Sequence, residues 1–283
     1  MKILLNNLKI KRYFLYILLF LLLNLLLNSC VKNKEKTLVI ATTTSLYDSG
    51  LLDVIIPLFE NKYGYEVKVL AIGTGEALKM GERGDADILL VHAPSAEKEF
   101  MERGLGKIRI KIMHNDFILT GPPNDPAKIK GLNIFQAFKK IAETKTLFVS
   151  RGDNSGTHKK ELEIWKKISL KPEGDWYIET GQGMGISLRI ASEKGGYILC
   201  DKATYNTLRQ NLNLEITVEG DKILYNPYHL IIVNPEKFPS INYASAKQFM
   251  EFILSKEVLE IIRNFGKEKY GEPLFYIDYE GEK

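Results

Sequence analysis

The order of apolar and amphipathic segments in this chain predicts an α/β fold. From Thr37 onward, short apolar runs such as TLVIA and EVKVLAI alternate with helical patterns such as LLDVIIPLFENKYG. Strands that alternate with helices of this length favour a mostly parallel sheet flanked by helices. A second series of the same kind follows further along the chain, so we predict two such sheets.

The second series begins after the turn-rich segment GPPNDPAKIKG. Two strand-like segments, NDFILTGP and NPYHLIIVNP, flank it and would carry the chain out of the first lobe and back. We therefore predict a second lobe inserted into the first. The predicted boundaries are 37–118 plus 230–283 for lobe I, and 119–229 for lobe II.

Each element rests on its own pattern of residues. Runs rich in β-branched and aliphatic residues predict strands, and apolar positions three or four apart predict helices. Pro57 falls inside the first long helical pattern and predicts a kink or a restart there. The predicted strands are 37–41, 66–72, 86–93, 146–150, 196–200 and 228–235. The predicted helices are 51–64, 75–84, 95–104, 155–168, 183–195, 245–255 and 256–266.

The first thirty residues have the pattern of a secretory signal. A basic stretch ends at Arg12, and a long apolar run leads to the sequence LNSC at Cys30. This ending resembles the lipobox of bacterial lipoproteins, in which the cysteine becomes the lipid-bearing N-terminus. We predict a signal peptide at 1–29 and a lipid anchor and linker at 30–36. The alternative is an uncleaved membrane anchor, and both alternatives tether the protein outside the cytoplasm.

Composition excludes nucleic-acid binding as the main function. The formal net charge of +4 arises in the signal, which holds four of the 39 Lys and Arg residues and no acid. The other 35 basic residues equal the 35 Asp and Glu residues, so no excess charge is left to neutralise phosphates. Only one other cysteine, Cys200, is present. If Cys30 is lipidated no intrachain disulfide forms, and the apolar run around Cys200 predicts a buried thiol.

Four turns share one arrangement: each follows a predicted strand, is rich in Gly, Ser or Thr, and precedes a predicted helix. Ligands of open α/β sheets bind beyond the carboxyl ends of the strands. Helix N-termini at that edge offer free N–H groups and the positive end of a dipole, which favour an anion. Taken singly, each turn is equally well explained as a helix cap, but together they predict an oxyanion site. The turns are residues 42–45 (TTTS), 73–75 (GTG), 150–157 (SRGDNSGT) and 181–185 (GQGMG).

Arg151 is the one cation within these turns, and its planar guanidinium can bind two oxygens of a tetrahedral anion. The alternative is a surface salt bridge to Asp153 or Glu161. Asp153 has three possible roles: it can cap the helix, orient Arg151, or accept a proton from a protonated ligand. We favour the first two.

A serine hydrolase is the alternative from another class, because Asp153, Ser155 and His158 have the residue types of a catalytic triad. All three lie within six residues on one turn, whereas triad members usually come from separate elements. No G-x-S-x-G elbow is present. The histidines, among them His92 at the end of a predicted strand, lack metal-ligand spacing. We therefore expect a binding protein and no enzyme, metal cation or cofactor.

The segments IATTTSLYDSG, AIGTGEAL, DILLVHAP, SRGDNSGTHKKE and ETGQGMG together resemble the tungstate-binding lipoproteins of bacterial ABC transporters. The resemblance runs from Thr37 to about Tyr276. It implies a two-lobed, type II periplasmic-binding-protein fold with its ligand cleft between the lobes. The residues it implies in binding are Thr43, Thr44, Ser45 and Thr74 from the first lobe, and Arg151, Ser155, Gly156, Thr157, Gly183, Met184 and Gly185 from the second.

The same resemblance implies a small inorganic oxyanion as ligand, a membrane permease and its ATPase as partners, and a monomer held at the membrane through Cys30. Molybdate and phosphate remain alternative ligands. Phosphate keeps a proton at neutral pH and needs a carboxylate acceptor, whereas tungstate and molybdate are fully deprotonated. The direction in which Asp153 points therefore distinguishes phosphate from the other two.

Overall fold

The computed structural model describes residues 36–280 as alternating strands and helices, which confirms the α/β class. The signal peptide and Cys30 lie outside the described residues. The chain begins with β1 (Thr37–Thr42), α1 (Thr44–Asp48), α2 (Leu51–Tyr63), β2 (Glu66–Ala71), α3 (Thr74–Arg83), β3 (Ile88–Val91), α4 (Pro94–Glu102) and β4 (Gly106–Gly121). It continues with α5 (Ile134–Thr144), β5 (Phe148–Ser150), α6 (Gly156–Lys167), β6 (Tyr177–Glu179), α7 (Met184–Lys194), β7 (Ile198–Asp201), α8 (Lys202–Leu208) and β8 (Glu215–Val218). It ends with β9 (Tyr225–Val233), α9 (Tyr243–Ile253), α10 (Lys256–Asn264), α11 (Lys267–Tyr270) and β10 (Tyr276–Ile277).

Strand pairing is more mixed than the predicted mostly parallel sheets. β1 pairs with β3 in parallel, and β5 pairs with β6 in parallel. The partners of β4 and β9 are all antiparallel: β9 pairs with β3 and β4, and β4 also pairs with β7, β8 and β10. The reason is the topology, because the strands that leave the first series and return to it run in opposite directions.

β4 belongs to both sheets. Its residues from Gly106 to Asp116 pair with β9, and its residues from Phe117 onward pair with β7 and β8. We call the part built on β1–β3, β9, β10 and the first portion of β4 the first lobe. The part built on β5–β8 and the last portion of β4 is the second lobe. The predicted lobe boundaries at residues 118/119 and 229/230 remain a proposal.

Apolar side chains cover both faces of the strands in each lobe. In the first lobe, α2 and α9 bury Phe59 and Phe249 on one face, and α3 and α4 bury Ala77 and Phe100 on the other. In the second lobe, α5 and α6 supply one cluster that includes Trp165, and α7 supplies the other. Burial of this apolar surface is the dominant favourable term in folding, and it holds the strand ends in place.

Helix α2 runs from Leu51 to Tyr63 without a break at Pro57, so the predicted kink or restart is not a helix boundary. Burial explains why the helix tolerates proline, because Leu52, Ile55 and Phe59 anchor it on both sides of Pro57. Among residues 36–280, no helix combines the length and apolar character needed to cross a membrane.

Two leucines of α2 provide a matched test of this packing. Leu52 is 3% exposed and Leu58 is 38% exposed. We expect Leu52→Ala to lower the free energy of unfolding by about 2–5 kcal/mol, since it removes buried methyl groups and leaves a cavity. Leu58→Ala, on the same helix, should cost about 1 kcal/mol or less. Urea unfolding followed by circular dichroism measures both, and equal losses would contradict the assigned burial.

Candidate functional site

The four Gly/Ser/Thr-rich turns each lie at a helix N-terminus, as their sequences predicted. Thr43, Gly73, Ser155 and Gly183 are the N-cap residues of α1, α3, α6 and α7, and all four have extended backbone geometry. Thr43 and Ser155 also accept a backbone N–H with their side chains. Two of these helix N-termini belong to the first lobe and two to the second.

Glycines allow the two pairs of helix N-termini to approach each other. A Cβ atom added to Gly73 would lie 3.3 Å from Ser155 Cα, and one added to Gly183 would lie 3.3 Å from Thr44 Cγ2. A Cβ atom added to Gly75 would overlap Asn154 Nδ2 and lie 2.9 Å from Asn154 O. The start of α3 thus faces the start of α6, and α1 faces α7, across the boundary between the lobes.

Gly156 of the second lobe also allows a close approach between the lobes, because it lies against His92 of the first lobe. A Cβ atom there would lie 2.6 Å from His92 Cε1. His92, just past the end of β3, is 2% exposed and is held from both sides, by Ser45 Oγ at 3.2 Å and Asn226 Oδ1 at 2.8 Å. It is a fully hydrogen-bonded histidine that also contacts the opposite lobe.

Arg151 is buried between the lobes, with 1% of its surface exposed. Its Nε donates to Gln182 O at 3.3 Å and its Nη2 donates to Thr44 Oγ1 at 3.1 Å. Nη2 also forms an ion pair with Asp153 Oδ2. The alternative of a surface salt bridge named the right partner, Asp153, but Arg151 is buried and does not lie on the surface.

Asp153 has both carboxylate oxygens engaged by the protein. Oδ2 accepts from Arg151, and Oδ1 accepts from the backbone N–H of Ser155 at 3.1 Å. It thus orients the guanidinium, one of the two roles that the sequence favoured. It does not cap α6 itself, because the N-cap is Ser155, and Asp153 fixes the backbone N–H of that residue. A protonated ligand would have to share one of these oxygens with Arg151 or with Ser155 N, because each oxygen can accept two hydrogen bonds.

Three buried donors in these turns have no hydrogen-bond partner among residues 36–280. They are Thr74 Oγ1, Thr157 Oγ1 and Arg151 Nη1. Thr74 is 0% exposed, and Thr157 and Arg151 are 1% exposed. A buried donor without a partner costs about 1–3 kcal/mol, so such groups mark a position where a ligand supplies acceptors. All three belong to the residues implied by the resemblance, and they come from both lobes.

The start of α7 is held by the first lobe. Met184 N donates to Thr44 Oγ1 at 3.4 Å, and Gly185 N donates to Asp48 Oδ2 at 3.3 Å. Burial raises the pKa of Asp48 above its ordinary value. The sequence analysis did not identify Asp48, because an acidic residue at the end of a short helix has no distinctive pattern. The contact between Asp48 and Gly185 is visible only in the folded structure.

The buried carboxylate of Glu161 fixes the turn that carries Arg151. Glu161 on α6 accepts from Ser150 Oγ at 2.7 Å, from Trp165 Nε1 at 3.1 Å and from Tyr177 OH at 2.7 Å. Ser150 Oγ in turn accepts from Gly152 N at 3.2 Å. Burial raises the pKa of Glu161 to about 7, against the stabilising effect of these hydrogen bonds on its charged form.

The residues of the considered triad do not form one. Ser155 Oγ accepts from the backbone N–H of His158, and the His158 ring uses Nδ1 to accept from Asn154 N at 3.0 Å. Asp153 contacts Arg151 and Ser155 N, so it does not hold the His158 ring as the acid of a triad would. The described residues also hold no cluster of three His, Cys, Asp or Glu side chains that could bind a metal ion.

Helix N-termini and neutral donors that face each other between two lobes are the arrangement of a solute-binding protein. The chain belongs to the PBP superfamily, whose domain matches residues 31–257. It is 47% identical over 279 residues to the tungstate-binding protein TupA of Peptoclostridium acidaminophilum, covering 94% of this chain and 98% of that protein. This membership confirms the predicted periplasmic-binding-protein fold.

Two solved structures are also similar. The crystal structure of the tungstate ABC transporter from Geobacter sulfurreducens is 45% identical, with a TM-score of 0.74, and the match covers 82% of this chain and 99% of that one. The tungstate-binding protein TupA of Desulfovibrio alaskensis G20 is 45% identical, with a TM-score of 0.70, and the match covers 86% and 99%. Two of these relatives are named as tungstate-binding proteins and one as a tungstate ABC transporter, which agrees with the expectation of a binding protein and not an enzyme.

Glu161 gives the site a testable pH dependence. Its pKa of about 7 in the folded protein lies above the ordinary value of 4.5, so the folded state binds more protons than the unfolded state between these values. The free energy of unfolding should therefore fall as pH rises from about 4.5 through 7. In Glu161→Gln this fall should become clearly smaller, and the part that remains comes from other buried acids such as Asp201, whose pKa burial raises to about 6. Glu163→Gln, at an exposed residue of the same helix, should retain the full fall. Urea unfolding at pH 5, 6, 7 and 8 measures it; identical profiles for Glu161→Gln and the native protein would contradict the assignment.

Proposed function

We propose that the protein is the extracytoplasmic solute-binding component of an ABC transporter and that it binds tungstate in the cleft between its lobes. The observation that carries the proposal is a set of three unpartnered buried donors, Thr74 Oγ1, Thr157 Oγ1 and Arg151 Nη1, in turns whose helices face each other between the lobes. The tungstate-binding relatives, 45–47% identical, support the choice of ligand.

The proposed contacts suit a tetrahedral dianion. Arg151 supplies one positive charge, part of which Asp153 already balances. The remaining negative charge would be stabilised by hydroxyl groups, backbone N–H groups and helix dipoles, which are effective in a buried, low-dielectric site. The residues proposed to bind the anion are Thr43, Thr44, Ser45, Thr74, Arg151, Ser155, Gly156, Thr157, Gly183, Met184 and Gly185.

Phosphate is the less favoured ligand, because relatives that are 45–47% identical are tungstate-binding proteins. Hydrogen phosphate carries a proton that needs an acceptor, and at Asp153 it would have to share an oxygen with Arg151 or with the backbone N–H of Ser155. Tungstate and molybdate carry no proton at neutral pH and have no need of that acceptor. Molybdate therefore remains the nearer competitor, and the two anions use the same donors.

Binding would proceed by closure of the lobes about β4 and β9. The anion first contacts the helix N-termini of one lobe, and closure adds those of the other. The glycine contacts of Gly73, Gly75 and Gly183 across the boundary permit this approach. The released solute would pass to the permease, which the partner ATPase drives.

We further propose that the signal peptide of residues 1–29 is removed and that Cys30 carries the lipid anchor, with 30–36 as the linker. Lobe I would comprise 37–118 plus 230–283, and lobe II 119–229. The protein would act as a monomer on the outer face of the cell membrane, where a permease can receive its ligand. Mass spectrometry of the membrane fraction tests the anchor, since a lipid on Cys30 adds a defined mass.

Isothermal titration with tungstate, molybdate, sulfate and phosphate at pH 7.5 tests the ligand. We expect tungstate to bind at least tenfold more tightly than sulfate and phosphate. Arg151→Ala should weaken tungstate binding by about 2–3 kcal/mol or more, because a charge-assisted hydrogen bond is lost. Arg263→Ala, at an exposed arginine of α10, is the matched control and should bind as the native protein does. Preferred phosphate binding, or full affinity in Arg151→Ala, would overturn the proposal.

Gly75→Ala tests closure separately from the donor set. The added methyl group would overlap Asn154 of the other lobe, so the lobes should be held apart. We expect at least a tenfold loss of tungstate affinity and loss of the tungstate-induced decrease in the radius of gyration measured by small-angle X-ray scattering. Glu76→Ala, at the exposed neighbouring position on α3, should behave as the native protein. Native-like compaction in Gly75→Ala would refute the assigned contact.

A further inference from the structure

A chain of hydrogen bonds runs through the two crossing strands and ends at the first turn of the site. Asp201 Oδ1 accepts from Asn115 Nδ2 at 3.4 Å, and Asn115 Oδ1 accepts from Asn226 Nδ2 at 2.7 Å. Asn115 and Asn226 face each other in the register of β4 and β9. Asn226 Oδ1 lies 2.8 Å from His92 Nδ1, and His92 Nε2 lies 3.2 Å from Ser45 Oγ. All five residues are buried.

The carboxylate at one end fixes the direction of every bond in the chain. Asp201 also accepts from Thr204 N and Thr204 Oγ1, both at 2.8 Å, so its oxygens act as acceptors throughout. Asn115 must turn its amide nitrogen toward Asp201, which leaves its oxygen for the Asn226 nitrogen. The Asn226 oxygen then faces His92 and can only accept, so His92 Nδ1 carries the hydrogen.

His92 is neutral, because burial lowers its pKa to about 4. A neutral imidazole has one N–H group and one acceptor nitrogen. With hydrogen on Nδ1, Nε2 is the acceptor, and the hydroxyl hydrogen of Ser45 points toward it. The ring cannot turn freely, since it packs 4.7 Å from the Tyr228 ring and against Gly156 of the second lobe.

We propose that His92 is a positioning residue of the anion site: as the Nδ1–H tautomer it accepts the Ser45 hydroxyl and fixes the start of α1. This inference rests on the proposed function for its effect on ligand affinity, whereas the tautomer is a property of the protein alone. The hydroxyl hydrogen of Ser45 is thereby committed to His92. Ser45 therefore has no O–H hydrogen left to donate to the anion.

The inference also assigns the hydroxyl donors. Thr43 Oγ1 accepts from Leu46 N and lies 3.2 Å from Ser45 Oγ, so its own hydrogen is directed to Ser45. Thr44 Oγ1 accepts from Arg151 Nη2 and Met184 N, which leaves its hydrogen to donate. Together with Thr74 and Thr157, Thr44 therefore supplies the hydroxyl hydrogens for the anion, and Thr43 and Ser45 do not.

The tautomer is measured directly by long-range ¹H–¹⁵N correlation spectra of the ¹⁵N-labelled protein at pH 7.5, without added anion. The protein has four histidines, so the His92 signals are assigned as those missing from His92→Gln. We expect the pattern of a protonated Nδ1 and an unprotonated Nε2. A protonated Nε2, or a charged ring, would overturn the inference whether or not tungstate binds.

Three variants separate the acceptor role from a merely structural one. His92→Gln places an acceptor near the position of Nε2, His92→Asn retains a polar group only near Nδ1, and His92→Phe retains the ring shape alone. We expect tungstate affinity to fall at least tenfold in His92→Asn and His92→Phe, and clearly less in His92→Gln. Equal losses in all three variants would mean that an acceptor near the position of Nε2 has no effect, and undiminished affinity in His92→Phe would mean that the ring shape alone is sufficient; either overturns the inference.

The two proposals fail in different ways. If the native protein does not bind tungstate, the proposed function fails, and the correlation spectrum still decides the His92 tautomer. If the native protein binds tungstate and the spectrum shows hydrogen on Nε2, the function stands and the positioning role of His92 is wrong.

Discussion

The burial of Arg151 is the constraint on which the cleft depends. A guanidinium that is 1% exposed has lost most of its hydration, and such a charge is tolerated only with close partners. Asp153, Thr44 and Gln182 supply them on two of its nitrogens, so the third, Nη1, keeps its donor capacity inside the cleft. The protein thus neutralises the cation only in part, and an oxyanion can supply the remainder.

Two acidic residues hold different parts of Arg151 in place. Glu161 fixes the backbone on either side of Arg151 through Ser150, and Asp153 fixes its head group. Gly73, Gly75 and Gly183 lack a side chain, and this lets helix N-termini of opposite lobes meet. Since each lobe brings both donors and small residues, these donors face each other only when the lobes are together.

Local patterns in the sequence predicted the four turns, because a strand, a cap and a helix start are adjacent in the chain. The pairing of strands was less predictable, since it depends on where distant segments return. The run KIRIKI at residues 107–112 alternates polar and apolar residues as a strand does, yet nothing local shows that it pairs with β9. The contact of Asp48 with Gly185 and the pairing of Asn115 with Asn226 span more than 100 residues each. No local pattern encodes such contacts, and they emerge only from the packed fold.

The long strand β4 has a consequence for how the two lobes fold. Its last residues, from Phe117 onward, form the central strand to which β7 and β8 attach, while the preceding residues pair with β9 in the other sheet. A fragment cut at residue 119 would lose Phe117 and Ile118 from the middle of its own sheet. The second lobe is therefore continuous in sequence but cannot be cut out without losing part of its own sheet. Because β4 pairs in both lobes, disorder of β4 in one lobe also removes a pairing strand from the other. Cooperativity between the lobes is built into the covalent chain, before any ligand contributes to it.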